Sequence, residues 1–190
     1  MARAAASWPE PPALIEGARL RLRRAMPDDA ETLFALVDDA EVMHFLDWPR
    51  PGSAAEVRVH LQTVDGHWQR GHEHQYIVVR KADGLALGTL SFRPRGHTAD
   101  FGYVFGRAHW GQGHATEACR LIVGWLQRQR VLVRLWATCD AGNTASARVL
   151  EKAGLRFEGL MRKASVRPNQ GGAIRDTRLF AWVRDEETSP

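Results

Sequence analysis

The chain has 190 residues, 25% of them charged and 44% hydrophobic, which suits one soluble globular domain with a full-sized core. No apolar run approaches a membrane span and residues 1–13 lack the apolar core of a signal peptide, so the expected setting is cytoplasmic. The formal net charge of +4 favours anionic ligands, yet acids and bases are interspersed throughout, which argues against nucleic-acid binding as the primary function. Two cysteines, Cys119 and Cys139, are too few for a disulfide or zinc framework, and their apolar surroundings predict buried free thiols.

Residues 1–12, rich in Ala and Pro, read as a disordered lead-in to a single domain over residues 13–190. Apolar and basic residues alternate over 18–24, a half-exposed strand. Pro27, Asp28 and Asp29 start a helix whose apolar face is Leu33, Phe34, Leu36 and Val37. A short second helix over 41–46 stops at Asp47-Trp48-Pro49. Ser53 with Glu56 three residues on makes a capping pattern for a helix to about residue 70, with Val57, Leu61, Val64 and Trp68 inside. Residues 75–80 and 85–92 form a hairpin around Lys81-Ala82-Asp83-Gly84, and a third strand covers 100–105. A helix over 115–129 is expected to bury Ala118, Leu121, Ile122 and Trp125. A strand over 132–138, a helix over 143–153 ended by Gly154, and strands over 155–162 and 177–184 close the chain. One α/β domain around a mixed sheet follows, without repeats or linkers.

The most informative stretch is the strand ending at Phe105, a loop with Gly106, Gly111 and Gly113, and the helix after it. Glycines let the backbone approach a ligand, and first-turn N–H groups point at an anion with the helix dipole behind them. A nucleotide-triphosphate loop needs Lys and Ser or Thr after its last glycine, where His114 and Ala115 stand. A dinucleotide fingerprint needs glycine at the position of Thr116.

Trp110-Gly111-Gln112-Gly113-His114-Ala115 instead resembles motif A of the GCN5-related N-acetyltransferases (GNAT), (Arg/Gln)-x-x-Gly-x-(Gly/Ala). Asn143-Thr144-Ala145-Ser146, then Glu151-Lys152-Ala153-Gly154-Leu155 and Glu158-Gly159, resembles motif B of the same family, with Leu155 where Phe is usual. Trp110 and the following Ala-Thr-Glu-Ala resemble the ribosomal-protein N-terminal acetylases, the RimJ/RimL-like branch. The likeness extends over residues 13–184.

The resemblance implies the single-domain GNAT fold: a mixed, mostly antiparallel sheet flanked by helices, with splayed central strands. It implies acetyl transfer from acetyl-coenzyme A, without a metal, to a primary amine such as a protein N-terminus, directly in a ternary complex. By the same resemblance Tyr103, Val104 and Phe105 hold the pantetheine amides through the main chain, and an N–H near Phe105 steadies the oxyanion. Residues Trp110, Gly111, Gln112, Gly113, His114, Ala115 and Thr116 cradle the pyrophosphate, with the Gln112 and His114 side chains facing solvent. Asn143 caps its helix and bonds the pantetheine arm, and Ser146 is the candidate general acid for the leaving thiolate. Phe45, Asp47, Trp48 and Pro49 would line the acceptor side, and homodimers are frequent among relatives.

The general base is the open position. Ser165 stands where the ribosomal acetylases carry Glu, leaving Asp47, Glu73, His74, Glu158, Asp176 or an ordered water. His72-Glu73-His74 lacks a third ligand for a metal, and Cys119, mid-helix without a paired base, is a poor nucleophile. The competing reading is a non-catalytic acyl-coenzyme A-binding sensor or interaction module. Nucleic-acid binding through the basic surface is a third.

Overall fold

Leu20–Arg24 buries Leu20 and Leu22 and exposes Arg21, as a strand with one covered face requires. It is the second of eight strands in the computed structural model, which describes residues 7–184. The strands are β1 (Leu14–Glu16), β2 (Leu20–Arg24), β3 (His74–Arg80), β4 (Ala86–Arg95), β5 (Thr98–Phe105), β6 (Arg134–Asp140), β7 (Arg156–Arg167) and β8 (Ala173–Val183). They form one sheet in the order β1-β2-β3-β4-β5-β6-β8-β7, antiparallel throughout except between β5 and β6.

The helices are α1 (Ala30–Val37), α2 (Ala40–Met43), α3 (Ala54–Gln69), α4 (His114–Gln127) and α5 (Thr144–Lys152). Ser53 caps α3 as expected, its Oγ accepting the Glu56 N–H at 3.3 Å, while the Glu56 carboxylate reaches back to the Gly52 N–H. Two cores lie on opposite faces of β3, whose alternate residues supply both. On one, Ala30 and Leu33 of α1 and Val57 and Leu61 of α3 pack on Ile77 and Val79. On the other, Ala118, Cys119, Ile122, Val123 and Leu126 of α4 and Ala147 and Leu150 of α5 pack on Tyr76, Val78, Leu90 and Leu135.

Several expected details are corrected. The buried stripe of α4 is rotated from the expected one: Leu121 and Trp125 are half-buried, and Cys119, Val123 and Leu126 take the inner places. Leu121 covers the turn between β1 and β2 instead, where a Cβ on Gly17 would stand 2.6 Å from its Cδ1. Of the expected disordered lead-in, residues 1–6 lie outside the described residues. Within residues 7–12, the Trp8 indole donates to the Gly96 carbonyl at 2.8 Å, and the Pro12 carbonyl accepts from the Tyr76 hydroxyl at 2.9 Å. Three-residue β1 is too short to show a period. β6 starts two residues later than expected, and β7 and β8 pair well beyond the expected 162 and 177, as an outer hairpin whose exposed face masks the alternation.

One irregularity matters for function. β5 and β6 pair only at Thr98↔Arg134, Ala99↔Leu135 and Asp100↔Trp136. Beyond that point β5 stays paired with β4 up to Phe105, and β6 with β8 up to Asp140. The facing edges of residues 101–105 and 137–140 therefore diverge, leaving main-chain donors and acceptors across a wedge in mid-sheet. These are the splayed central strands that the family resemblance implies.

Candidate active site

The glycine loop leaves the open end of the wedge. A Cβ on Gly106 would stand 2.5 Å from Leu36 Cδ2, so any larger residue there displaces the tip of that side chain. The Trp110 indole N–H donates to the Phe105 carbonyl at 2.8 Å, and Gln112 Nε2 to that of Ala108 at 3.0 Å, so both side chains brace the loop while lying exposed. Gly111 and Gly113 hold φ of +73° and +76°, a conformation that side-chain-bearing residues rarely adopt. The Glu117 N–H makes the first helical bond of α4, to the Gly113 carbonyl at 3.1 Å. The N–H groups of His114, Ala115 and Thr116 precede it and point out of the helix end.

His114 departs from expectation: it is buried rather than facing solvent, because it occupies the inner side of the first turn. Burial and the nearby Arg19 and Arg80 lower its pKa, so the ring is neutral near pH 7 and offers a phosphate no charge. Arg19, which the sequence pattern gave no reason to select, lies over the loop. Its Nε donates to Glu117 Oε2 at 2.7 Å and its Nη1 to the Gln112 carbonyl at 3.3 Å.

The wedge floor carries the second cluster. Asn143 caps α5, its Oδ1 accepting the Ser146 N–H at 2.9 Å. Ser146 Oγ lies 2.8 Å from the Tyr103 hydroxyl, bridging α5 and β5. Cys139 on β6 lies beside the same cap, its Sγ 4.0 Å from the Asn143 carbonyl. Burial pushes the Tyr103 and Cys139 pKa values up, so both hydroxyl and thiol keep their protons at neutral pH. No spacing rule connects Tyr103 to Ser146, 43 residues away; the contact exists only because β5 and α5 meet here.

At the mouth of the wedge, Asn169 Nδ2 donates to the carbonyls of Met43 and Trp48 at 2.9 and 2.8 Å, and Gln170 Nε2 to that of His44 at 2.8 Å. The β7–β8 loop thereby clasps the segment holding Phe45, Asp47, Trp48 and Pro49. A small cavity beside it, of about 260 Å³, is lined by Ala141, Ile174, Arg175 and Asp176.

The base candidates separate on environment. Glu73 pairs with Arg93 at 3.1 Å. Glu158 forms an ion pair with Arg134 that holds its carboxyl below the usual range. Ser165 Oγ accepts from Arg167 Nη1 at 2.7 Å. Asp47 is exposed, and Asp176 borders the cavity while its Oδ1 accepts the Lys163 N–H at 2.9 Å.

His74 lies in the core against the rings of Trp68 and Phe92, away from the wedge, and burial with the nearby Arg24 lowers its pKa to about 4. The unfolded chain binds this proton below about pH 6.5 while the folded one refuses it until about pH 4. The stability from neutral His74 is thus present above pH 6.5 and lost as the pH falls from there to 4. His74→Phe is expected to flatten the fall in unfolding free energy across this window, by up to about 3 kcal/mol in urea titrations. Equal pH slopes for both proteins would refute the assignment.

A family profile described as an acetyltransferase (GNAT) domain matches residues 19–156, and the chain belongs to this family. It is 32% identical over 153 residues to an uncharacterized N-acetyltransferase, YnaD, of Bacillus subtilis, covering 80% of this chain and 88% of that one. It is 26% identical over 176 residues to the ribosomal-protein-serine acetyltransferase of Escherichia coli, covering 88% and 94%. The solved structure of RimL, a ribosomal L7/L12 alpha-N-protein acetyltransferase in complex with coenzyme A, superposes with a TM-score of 0.81 at 26% identity, covering 90% and 98%. The protein is accordingly an acetyl-coenzyme A-dependent N-acetyltransferase of RimL-like type.

Proposed function

We propose that the acceptor is a primary amine, foremost the free N-terminus of a protein or peptide, acetylated directly in a ternary complex. The Tyr103–Ser146 hydrogen bond at the floor of the wedge carries the acid role in this reading, and the names of the relatives carry its acceptor class. The unpaired edge at Tyr103, Val104 and Phe105 would hold the pantetheine amides as an added strand does. Trp110, Gly111 and Gln112 would shape the cradle, and the N–H groups of Gly113, His114, Ala115 and Thr116 would take the pyrophosphate. The Asn143 amide would bond the pantetheine arm beside its capping role.

The amine nitrogen attacks the thioester carbonyl carbon, and a main-chain N–H near Phe105 stabilises the oxyanion. As the C–S bond breaks, Ser146 Oγ–H protonates the departing sulfur and regains a proton from solvent, while the Tyr103 hydroxyl, which its burial keeps protonated, holds Ser146 Oγ in place. The proton of the attacking amine leaves through water, with Asp176 at the cavity or Asp47 at the mouth as the candidate carboxylates without an ion-pair partner among the described residues; Glu73, Glu158 and His74 are committed elsewhere. The names of the relatives support a protein acceptor. A cytoplasmic setting suits such acceptors and the free thiols of Cys119 and Cys139. A homodimer would cover the outer strand β7, which exposes Phe157, Leu160 and Val166.

The test is thiol release from acetyl-coenzyme A, followed with Ellman's reagent, against peptides with free N-termini, polyamines, amino acids and aminoglycosides. Turnover is expected with peptides, and Ser146→Ala is expected to lower kcat about 100-fold, or about 2.7 kcal/mol. Turnover confined to another class would replace the peptide reading. An unaffected kcat in Ser146→Ala would remove its acid role.

A further inference from the structure

We propose that the cavity at the free edge of β8 selects acceptors with an acidic residue soon after the reacting N-terminus, and that Arg175 binds its carboxylate. The inference rests on the reading in which the acceptor is a peptide N-terminus, and it names the class of sequence that follows the amine.

β6 ends at Asp140, opposite Thr177, so β8 before Thr177 has no strand on that side. The Asp176 carbonyl turns that way and accepts the Ala141 N–H at 2.9 Å. Ile174, two residues earlier on the same extended strand, turns its main-chain N–H and carbonyl likewise, into the cavity of about 260 Å³. A peptide laid along this edge gains main-chain bonds as an added strand does, which a nucleic acid cannot match. The edge is also near the chemistry. A Cβ on Gly142 would stand 3.5 Å from Phe45 Cε1 on the acceptor side and 3.6 Å from Arg175 Nη2. Gly142 comes four residues before Ser146, so the Arg175 guanidinium stands roughly 10 Å from the candidate acid, the span of about three extended residues.

Positive charge is in excess here. The Arg175 side chain is 45% exposed, and its Nε lies 3.7 Å from Asp140 Oδ2. That oxygen already accepts from Arg167 Nε at 3.0 Å, and Oδ1 accepts the Gly142 N–H at 2.8 Å, so the Arg175 donors remain for a ligand. On the other side of β8, β7 bulges. Met161 opposes Thr177 and Ser165 opposes Arg175, which sets Arg162, Lys163 and Ala164 against Asp176 alone. Lys163 holds φ of +50°, and its main-chain N–H donates to Asp176 Oδ1 at 2.9 Å. The bulge thereby engages the one carboxylate of the cavity wall through the main chain. The side chains of Arg162 and Lys163 stay exposed and join no ion pair among the described residues. A half-exposed guanidinium, with two further cations across the strand, matches a carboxylate by bidentate, charge-assisted bonding.

The test is the thiol-release assay on the full chain, with peptides of one N-terminal residue that carry Glu, Gln or Lys in the next three positions. Wild type is expected to use the Glu peptide with kcat/KM at least about tenfold above the Gln peptide, the difference lying in KM and shrinking as salt rises. In Arg175→Gln the ratio should come within about twofold of unity. Arg175→Glu should reverse the preference towards the Lys peptide, which a merely structural role for Arg175 would not produce. Equal kcat/KM for Glu and Gln peptides in wild type, or a ratio that Arg175→Gln leaves intact, would overturn the subsite while the peptide acceptor stands. Equal peptides together with salt-sensitive binding of an RNA oligonucleotide, lost in Arg175→Gln, would overturn it in favour of RNA. Turnover of small amines but of no peptide would overturn both readings.

Discussion

Gly113→Glu is expected to fold and to lose coenzyme A. The position has φ +76°, so any side chain costs about 1–2 kcal/mol of backbone strain there. Space is not the obstacle, since a Cβ would meet only Arg19 Nη2 at 3.6 Å. The added carboxylate, however, stands before the free N–H groups of α4 and beside Arg19, where it competes with any phosphate. Affinity for acetyl-coenzyme A should fall at least about 1,000-fold, roughly 4 kcal/mol, while the thermal midpoint drops only by the strain. Gly113→Ala carries the same strain without the charge and separates the two effects: it should retain most of the affinity. Calorimetric affinities within about threefold of wild type for Gly113→Glu would show that the loop holds no phosphate.

The loop was legible in the sequence because its demands are local: glycines where φ is positive and small residues opening a helix. Asn143 was legible for the same reason, as a capping residue three positions before Ser146. The order of the major elements followed from periods of 2 and 3.6 residues in segments such as Leu20–Arg24 and Leu33–Val37. What failed needed the third dimension. His114 looks like an exposed polar residue in a loop, and only the packing of α4 against the sheet turns it inward. The Tyr103–Ser146 contact, the Arg19–Glu117 anchor and the Asn169 clasp each join segments more than 40 residues apart, and no short-range pattern records them. The outer β7–β8 hairpin, with residues of both kinds exposed, has no single buried face to print a period.

The same blindness hid a fully buried charge pair. Asp140 ends β6 and is 1% exposed, and Arg167 ends β7 and is 3% exposed. Asp140 Oδ2 accepts from Arg167 Nε at 3.0 Å across the intervening β8, and Oδ1 accepts the Gly142 N–H at 2.8 Å. One carboxylate thus ties the outer hairpin to the turn that presents Asn143 and Ser146. Asp140→Ala leaves a desolvated guanidinium without its counter-charge and frees the turn, and is expected to destabilise the fold by about 3–5 kcal/mol in urea unfolding. Asp140→Leu combined with Arg167→Met removes both charges, so its loss should be well below the sum of the two single losses. If the pair serves the turn as well as the fold, the double variant should recover stability yet keep a lowered kcat, because no acceptor remains for the Gly142 N–H. A single-variant loss under about 1 kcal/mol would mean that water reaches Arg167 and that the wedge is braced elsewhere.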